Sequence, residues 1–298
     1  MTVIEIIKLI WRQILATREL KEAFFHRTEA LIKQKKYDRL FRKCHNSGAK
    51  MLYYYSEIDL LYIETIQKIH VTTNKEYSVF LEVFIDNIYA LPPQIMRKEF
   101  YLFDVGMNRG YASLYFANMP NCKKVFGFEI DENTYNWAIR NFELNEHLKK
   151  KISPFNFGLW DKTEEVEICS CGSDGLTSVN NLSIKYDAIK KMQDKTSRSL
   201  KKALVRQASF LFNELFIETE HESLKILKID IEGAEYSVFE DLSSNNVLER
   251  FHLIIGECHN GLEDLQKHLT NFSCLFKDKE KGTRISFCFV NKNIQSIF

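Results

Sequence analysis

The sequence predicts an α/β fold: a mostly parallel sheet with helices on both faces, preceded by an α-helical region. Three observations predict it. From about residue 96 onward, short apolar runs alternate with helical periods, at roughly 25–30 residues per unit. Before that boundary, apolar positions recur at helical spacing. Only four prolines and eleven glycines interrupt 298 residues, so long elements are expected. With 45% hydrophobic and 27% charged residues, the chain holds material for a large core, and disordered, collagenous and disulfide-scaffold classes are excluded.

The N-terminal region, residues 1–95, reads as four helices. Residues 3–16 carry one apolar stripe and residues 18–44 are helical and highly charged. Residues 51–69 place Tyr55, Ile58, Tyr62, Ile66 and Ile69 at helical spacing. Residues 76–90 give a fourth helix, stopped by Pro92-Pro93. The net charge of +1 hides a split: ten basic and four acidic residues fall within 18–50. That stretch is either a solvated helix face or a surface that meets phosphates. The stripe at 3–16 packs on the rest of the chain, on a second copy in a homo-oligomer, or lies on a membrane surface.

The second region, residues 96–298, begins with the strand Phe100–Val105 and a helix over residues 111–119. Strand 124–130, helix 133–145 and strand 155–160 follow. Residues 161–223 form an insertion. Val166 and Ile168 suggest an edge strand there, residues 183–216 read as helices, and the whole is placed to cover a substrate. Strands at 224–231 and 252–257 come next. Runs at 273–277 and 285–291, around Lys281-Gly282, predict an antiparallel closing pair.

Seven cysteines without a C-x-x-C pair give no disulfide framework and no zinc knuckle. A reducing, cytoplasmic setting fits. The first residues lack a basic n-region and a small-residue cleavage site. No uncharged run reaches the roughly 18 residues that span a bilayer.

The strongest chemical signal is Asp104-Val105-Gly106-Met107-Asn108-Arg109-Gly110, a strand that turns sharply into a helix. Gly106 and Gly110 suit close backbone approach to a ligand, and the helix start suits an anion. The spacing G-x-N-x-G is not the G-x-G-x-x-G that seats a dinucleotide pyrophosphate. Glu129 ends the next strand, where a carboxylate accepts both ribose hydroxyl protons. Asp104 facing an ammonium, the helix start facing a carboxylate and Glu129 facing a ribose describe S-adenosyl-L-methionine as cofactor.

These residues also carry a resemblance. Residues 104–117 (DVGMNRGYASLYFA), 128–145 (FEIDENTYNWAIRNFELN), 156–161 (NFGLWD), 227–235 (LKIDIEGAE) and 255–259 (IGECH) resemble the FkbM-type methyltransferases. The resemblance runs from about Phe100 to Asn293, and the KIDIEGAE block is its most specific piece. It implies a Rossmann-like fold of seven strands and S-adenosylmethionine-dependent O-methylation, often of sugars or secondary metabolites. It implies that Asp104, Gly106, Asn108, Gly110, Glu129 and Ile130 bind the cofactor. Asn156, Gly158 and Leu159 would flank its adenine. The sequence departs from the family pattern at Ile130, where proline is common, and at Arg109, a bulkier residue expected to alter the rim of the site.

For catalysis, Lys228, Asp230 and Glu232 share one face of a strand by their spacing of two. Such charges are either a Lys228–Asp230 ion pair with Glu232 as a helix cap, or a site at the topological switch point. Asp230 and Glu232 are candidates to orient an acceptor hydroxyl or take its proton. His259, after the fifth strand, is a candidate base or a structural histidine. Asp230, Glu232, Glu257 and His259 also offer O and N ligands for Mg²⁺ or Mn²⁺, although nothing in the spacing requires a metal.

The expected function is therefore methyl transfer to a hydroxyl of a sugar, nucleotide-sugar or glycan intermediate, with no nucleic-acid partner. Three rivals stand. A nucleic-acid (RNA) methyltransferase would use the basic stretch. A nicotinamide oxidoreductase is disfavoured by the glycine spacing. A non-catalytic partner-binding module would keep the fold alone.

Overall fold

A computed structural model describes residues 35–170, 178–179, 199–219, 222–279 and 284–297. The expected helix at 3–16, residues 18–34 of the expected helix at 18–44, and the insertion residues 171–177 and 180–198 lie outside the described residues. The chain divides into two compact units, one ending at Tyr77 and the other running from Ser78.

In the first unit, helix α1 (Asp38–Ser47) ends at Gly48, whose φ of 81° is the left-handed conformation that stops a helix. The helix expected over 51–69 is instead a three-stranded antiparallel sheet, β1 (Lys50–Tyr55), β2 (Leu60–Glu64) and β3 (His70–Thr73). Two members of the supposed helical stripe, Ile58 and Ile66, are 39% and 57% exposed in the connecting turns. The deciding signal was local. Tyrosines 53, 54, 55 and 62 with Ile63 and Val71 prefer a pleated surface. Asp59 turns the hairpin at φ 49° and accepts hydrogen bonds from the Tyr37 and Tyr54 hydroxyls at 2.6 and 2.9 Å.

The second unit opens with helix α2 (Ser78–Phe84), shorter than the expected 76–90, and so begins before the boundary expected at 96. Its main sheet has seven strands: β4 (Phe100–Val105), β5 (Cys122–Phe128), β6 (Ile152–Phe155), β11 (Leu224–Ile229), β12 (Leu253–Cys258), β13 (Phe272–Lys279) and β14 (Ile285–Asn291). Their order is β13-β14-β12-β11-β4-β5-β6. Strands β6, β5, β4, β11 and β12 are parallel, and β14 and β13 close the edge antiparallel as expected. The order reverses between β4 and β11, which makes that pair the switch point.

The helices are α3 (Tyr111–Ala117), α4 (Glu132–Glu143), α5 (Glu146–Lys149), α6 (Ala208–Phe216), α7 (Glu235–Ser244) and α8 (Glu263–Gln266). Helix α4 starts where the sequence dictates, because Asp131 Oδ1 accepts from the Thr134 N–H at 3.0 Å. One phenylalanine-rich layer holds sheet to helices. Phe103 stacks on Phe126 at 5.1 Å and meets Phe212, Phe216 and Phe251 edge-on. Each such buried ring contributes on the order of 1.5–3 kcal/mol.

The expected strand 155–160 is two elements. Residues up to Phe155 form the sheet edge β6, which tolerates Pro154 because it pairs on one side only. The rest is β7 (Gly158–Trp160), in a second sheet with β8 (Glu164–Ser170), β9 (Ser178–Val179) and β10 (Ser199–Gln207), ordered β7-β10-β8-β9. The insertion is thus partly β where helix was expected at 199–207. Ala203 and Val205 pack with Val166 and Ile168 while Lys202 and Leu204 are exposed, the period of two expected of a strand paired along β8. Among the described residues, no helix is long and apolar enough to cross a membrane.

Candidate functional site

At the carboxyl ends of the parallel strands lies a cavity of about 250 Å³. Its lining comes from the turn after β4 (Gly106, Met107, Asn108), the end of β5 (Glu129, Ile130), the start of β7 (Gly158, Leu159) and the end of β11 (Lys228, Asp230, Glu232). Ile168 and Val205 of the second sheet, Tyr89, Glu82 and Arg284 are also among its lining residues.

The glycine turn is built for a tight crossing. Gly106 has φ 81°, and a Cβ there would sit 1.9 Å from the Asp230 carbonyl oxygen. Asn108, at φ 53°, donates its backbone N–H to Glu129 Oε2 at 2.8 Å. Glu129 Oε1 accepts from the Asp131 N–H at 2.9 Å. Each carboxylate oxygen therefore uses one lone pair on the backbone and has another to offer the cavity. Burial pushes the Glu129 carboxyl up to about 7, against the pull of those two N–H groups. This is a fixed acceptor pair aimed into a cleft, suited to a vicinal diol.

Several expected site residues lie elsewhere. Asp104 is fully buried behind the turn. It faces Lys228 Nζ at 3.1 Å and accepts from the Ser113 hydroxyl at 2.6 Å, so its charge is already matched and it does not line the cavity. Lys228 also donates to the Gly106 carbonyl at 2.7 Å. Burial alone would lower the Lys228 pKa, but the Asp104 and Asp230 charges hold it raised. The ion pair anticipated with Asp230 is thus made chiefly with Asp104. Gly110, at φ 78°, is shaped by packing: a Cβ would lie 2.5 Å from the Phe142 ring. The Asn156 amide turns away and donates to the Glu129 carbonyl at 2.9 Å, clamping the strand end. Arg109 does not reach the rim. It is 2% exposed and stacks at 3.8 Å on the Trp137 ring of α4.

Three candidates do meet after β11 and β12. His259 Nε2 lies 3.8 Å from Asp230 Oδ1 and 3.5 Å from Glu232 Oε2. Its Nδ1 lies 2.7 Å from Glu235 Oε1. Burial works to lower the imidazole, but Glu235, Asp230 and Glu232 outweigh it and raise it to about 9. A raised imidazole favours the protonated form, which argues against the expected general base, and His259 does not line the cavity. Asp230 and Glu232 do. Burial favours a protonated Asp230, yet Lys228, His259 and Arg284 hold its pKa below the ordinary range. The Tyr89 hydroxyl donates to Asp230 Oδ2 at 3.3 Å. Glu257 belongs to a different pair, with Arg284. Burial pushes the neighbouring Cys258 thiol up to about 12, consistent with a core residue.

Sequence reasoning missed Glu235 and Tyr89. Glu235 is fully buried in the first turn of α7 and accepts from the N–H groups of Ile231 (3.1 Å) and Gly233 (2.7 Å). It therefore performs the capping assigned to Glu232, whose backbone sits at φ 56°. Its presence in the KIDIEGAE block was the available signal. Tyr89 had none, because its partner lies 141 residues away.

Comparison with known proteins was made against this geometry. No curated protein matches the chain. Among solved structures it is similar to a methyltransferase FkbM from Methylobacillus flagellatus, at 12% identity and TM-score 0.41, covering 65% of this chain and 43% of that one. It is also similar to TrmK of M. capricolum bound to S-adenosyl-homocysteine (14% identity, TM-score 0.35, 67% and 66% covered). The N-terminal domain of human METTL16 is a third (11% identity, TM-score 0.36, 74% and 71% covered). The family profile described as the Methyltransferase FkbM domain matches residues 104–284, more than half of the chain. The chain therefore belongs to the FkbM methyltransferase family, and its cofactor is S-adenosylmethionine.

Proposed function

We propose that this methyltransferase acts on a hydroxyl, of a sugar, nucleotide-sugar or glycan intermediate, and that Gly106, Asn108, Glu129, Ile130, Gly158 and Leu159 hold the cofactor. The observation that carries the reading is that one cavity is lined both by Glu129, with free acceptor capacity, and by the carboxylates Asp230 and Glu232. Glu129 would take the ribose hydroxyls. Ile130 and Leu159 offer apolar surface for a flat base, and backbone at Gly106 and Asn108 would lie along the amino-acid end. Asp104 supports this arrangement from behind through Lys228.

When bound, S-adenosylmethionine supplies a methyl group on a sulfonium, already activated toward a nucleophile. The chain has only to orient an acceptor oxygen in line and remove its proton. In the transfer the acceptor oxygen would displace the thioether, which keeps the C–S electron pair, and Asp230 or Glu232 would take the hydroxyl proton. Carboxylate acceptors suit a polyol, because each takes hydrogen bonds from hydroxyls and holds the ring in one pose. Tyr89 fixes the Asp230 rotamer, and His259 with Glu235 holds both carboxylates in place from below.

The test is product formation with a panel of nucleotide-sugars and oligosaccharides, read by mass spectrometry as gain of one methylene. Asp230→Asn and Glu232→Gln are expected to lose about 10²- to 10⁴-fold in rate on the acceptor found, with cofactor affinity retained. Turnover on RNA or amines and on no hydroxyl acceptor would overturn the assignment. Full rate in both variants would remove these carboxylates from the reaction.

A further inference from the structure

We infer that Asp230, Glu232 and His259 form a binding site for a divalent cation of the Mg²⁺ or Mn²⁺ class, held at the acceptor end of the cavity. The inference rests on the hydroxyl-acceptor reading above and names what would bind the acceptor oxygen.

The donor set is mixed, two carboxylates and an imidazole, which suits hard divalent ions. One ligand atom from each residue lies within 4.8 Å of the others. Around an ion with bonds of about 2.1 Å, adjacent ligands are about 3.0 Å apart and opposite ones about 4.2 Å. The observed 3.5 and 3.8 Å from Nε2 to Glu232 and Asp230 fall between these values. Small side-chain rotations therefore suffice to place the three donors on one face of an octahedron.

The imidazole is already aimed. Glu235, fully buried, contacts Nδ1 at 2.7 Å, which turns Nε2 toward the two carboxylates. A carboxylate behind a histidine is the arrangement that fixes tautomer and orientation in protein metal sites. His259 would bind through Nε2 after giving up the proton there.

The site also opens toward the acceptor: a divalent cation held by these three residues would sit at the cavity wall. Because Asp230 and Glu232 line the cavity, its remaining coordination positions face the space where an acceptor hydroxyl sits. Coordination there would acidify the hydroxyl and fix its direction.

The experiment is Mn²⁺ titration of the full-length chain, followed by electron paramagnetic resonance. The expected result is loss of the free-ion signal at one site per chain. Pulsed measurement on the bound ion should show coupling to one imidazole nitrogen. Asp230→Asn and Glu232→Gln should each weaken binding at least tenfold, and Glu235→Gln, one shell out, about 10- to 100-fold. A free-ion signal unchanged up to millimolar Mn²⁺ would overturn the inference. So would bound Mn²⁺ without nitrogen coupling, or equal affinity in folded Asp230→Asn and Glu232→Gln. Calorimetry with S-adenosylmethionine on the same samples separates the two readings. Cofactor binding without Mn²⁺ binding sinks the cation site alone, whereas a folded chain that binds no cofactor sinks the cofactor assignment.

Discussion

Lys228→Met is expected to destabilise the second unit by about 3–5 kcal/mol, the usual consequence of removing one partner from a buried ion pair. Lys228 and Asp104 are register partners on the two strands that flank the switch point, and both are buried within the sheet. Without the ammonium, Asp104 would retain only the Ser113 hydroxyl as its 2.6 Å donor. Lys228 also ties the Gly106 carbonyl, so the turn that lines the cavity would loosen with it. Adding Asp104→Asn should restore much of the loss, because the amide oxygen still accepts from Ser113 and no charge is left unpaired. Urea unfolding of the two variants is the measurement. A single Lys228→Met variant within about 1 kcal/mol of the parent chain would mean that the pair is not the support described.

Glu129→Gln is expected to weaken S-adenosylmethionine binding about a hundredfold or more, since two charge-assisted hydrogen bonds to ribose are each worth about 1.5–3 kcal/mol. The pH dependence gives an independent check. Burial raises the Glu129 carboxyl to about 7. The charged form dominates above that value, and the proton returns below it. Cofactor affinity should therefore be level above about pH 8 and fall toward tenfold per unit well below pH 7, as the ionised fraction falls. Calorimetry across that range should show the slope in the parent chain and a flat profile in Glu129→Gln. Equal affinity at pH 6 and pH 8 in the parent would remove Glu129 from the ribose site. In both predictions the consequence follows from burial, because the same groups on the surface would be screened by water.

The alternation of apolar runs and helical periods from Phe100 onward predicted the parallel sheet, since a strand buried on both faces must be apolar throughout. All residues of β4, β11 and β12 are buried. The closing pair around Lys281-Gly282 was equally legible, because hairpins are local. The same logic failed over 51–69. Tyr55, Ile58, Tyr62, Ile66 and Ile69 fit a helical period by coincidence, and the β preference of the tyrosines decided otherwise. It failed again at 155–160, where one apolar run serves two sheets.

Glu129, Asp230 and Glu232 could be placed at strand ends from their order along the chain, and they line the cavity. Asp104, Gly110, Asn156 and Arg109 could not be sorted that way. Whether a residue at a strand end faces a ligand or a neighbour depends on contacts with Lys228, Phe142, the Glu129 backbone and Trp137, each distant in sequence or on another element. The protonation of His259 had the same obstacle, since its pKa is the sum of three carboxylates that only folding assembles. Periodicity and turn chemistry are properties of neighbouring residues, so strands, turns and the family motifs could be read from the order of amino acids. Electrostatic pairing and cavity lining depend on distances between remote segments, and those distances exist only once the sheet has brought β4 beside β11.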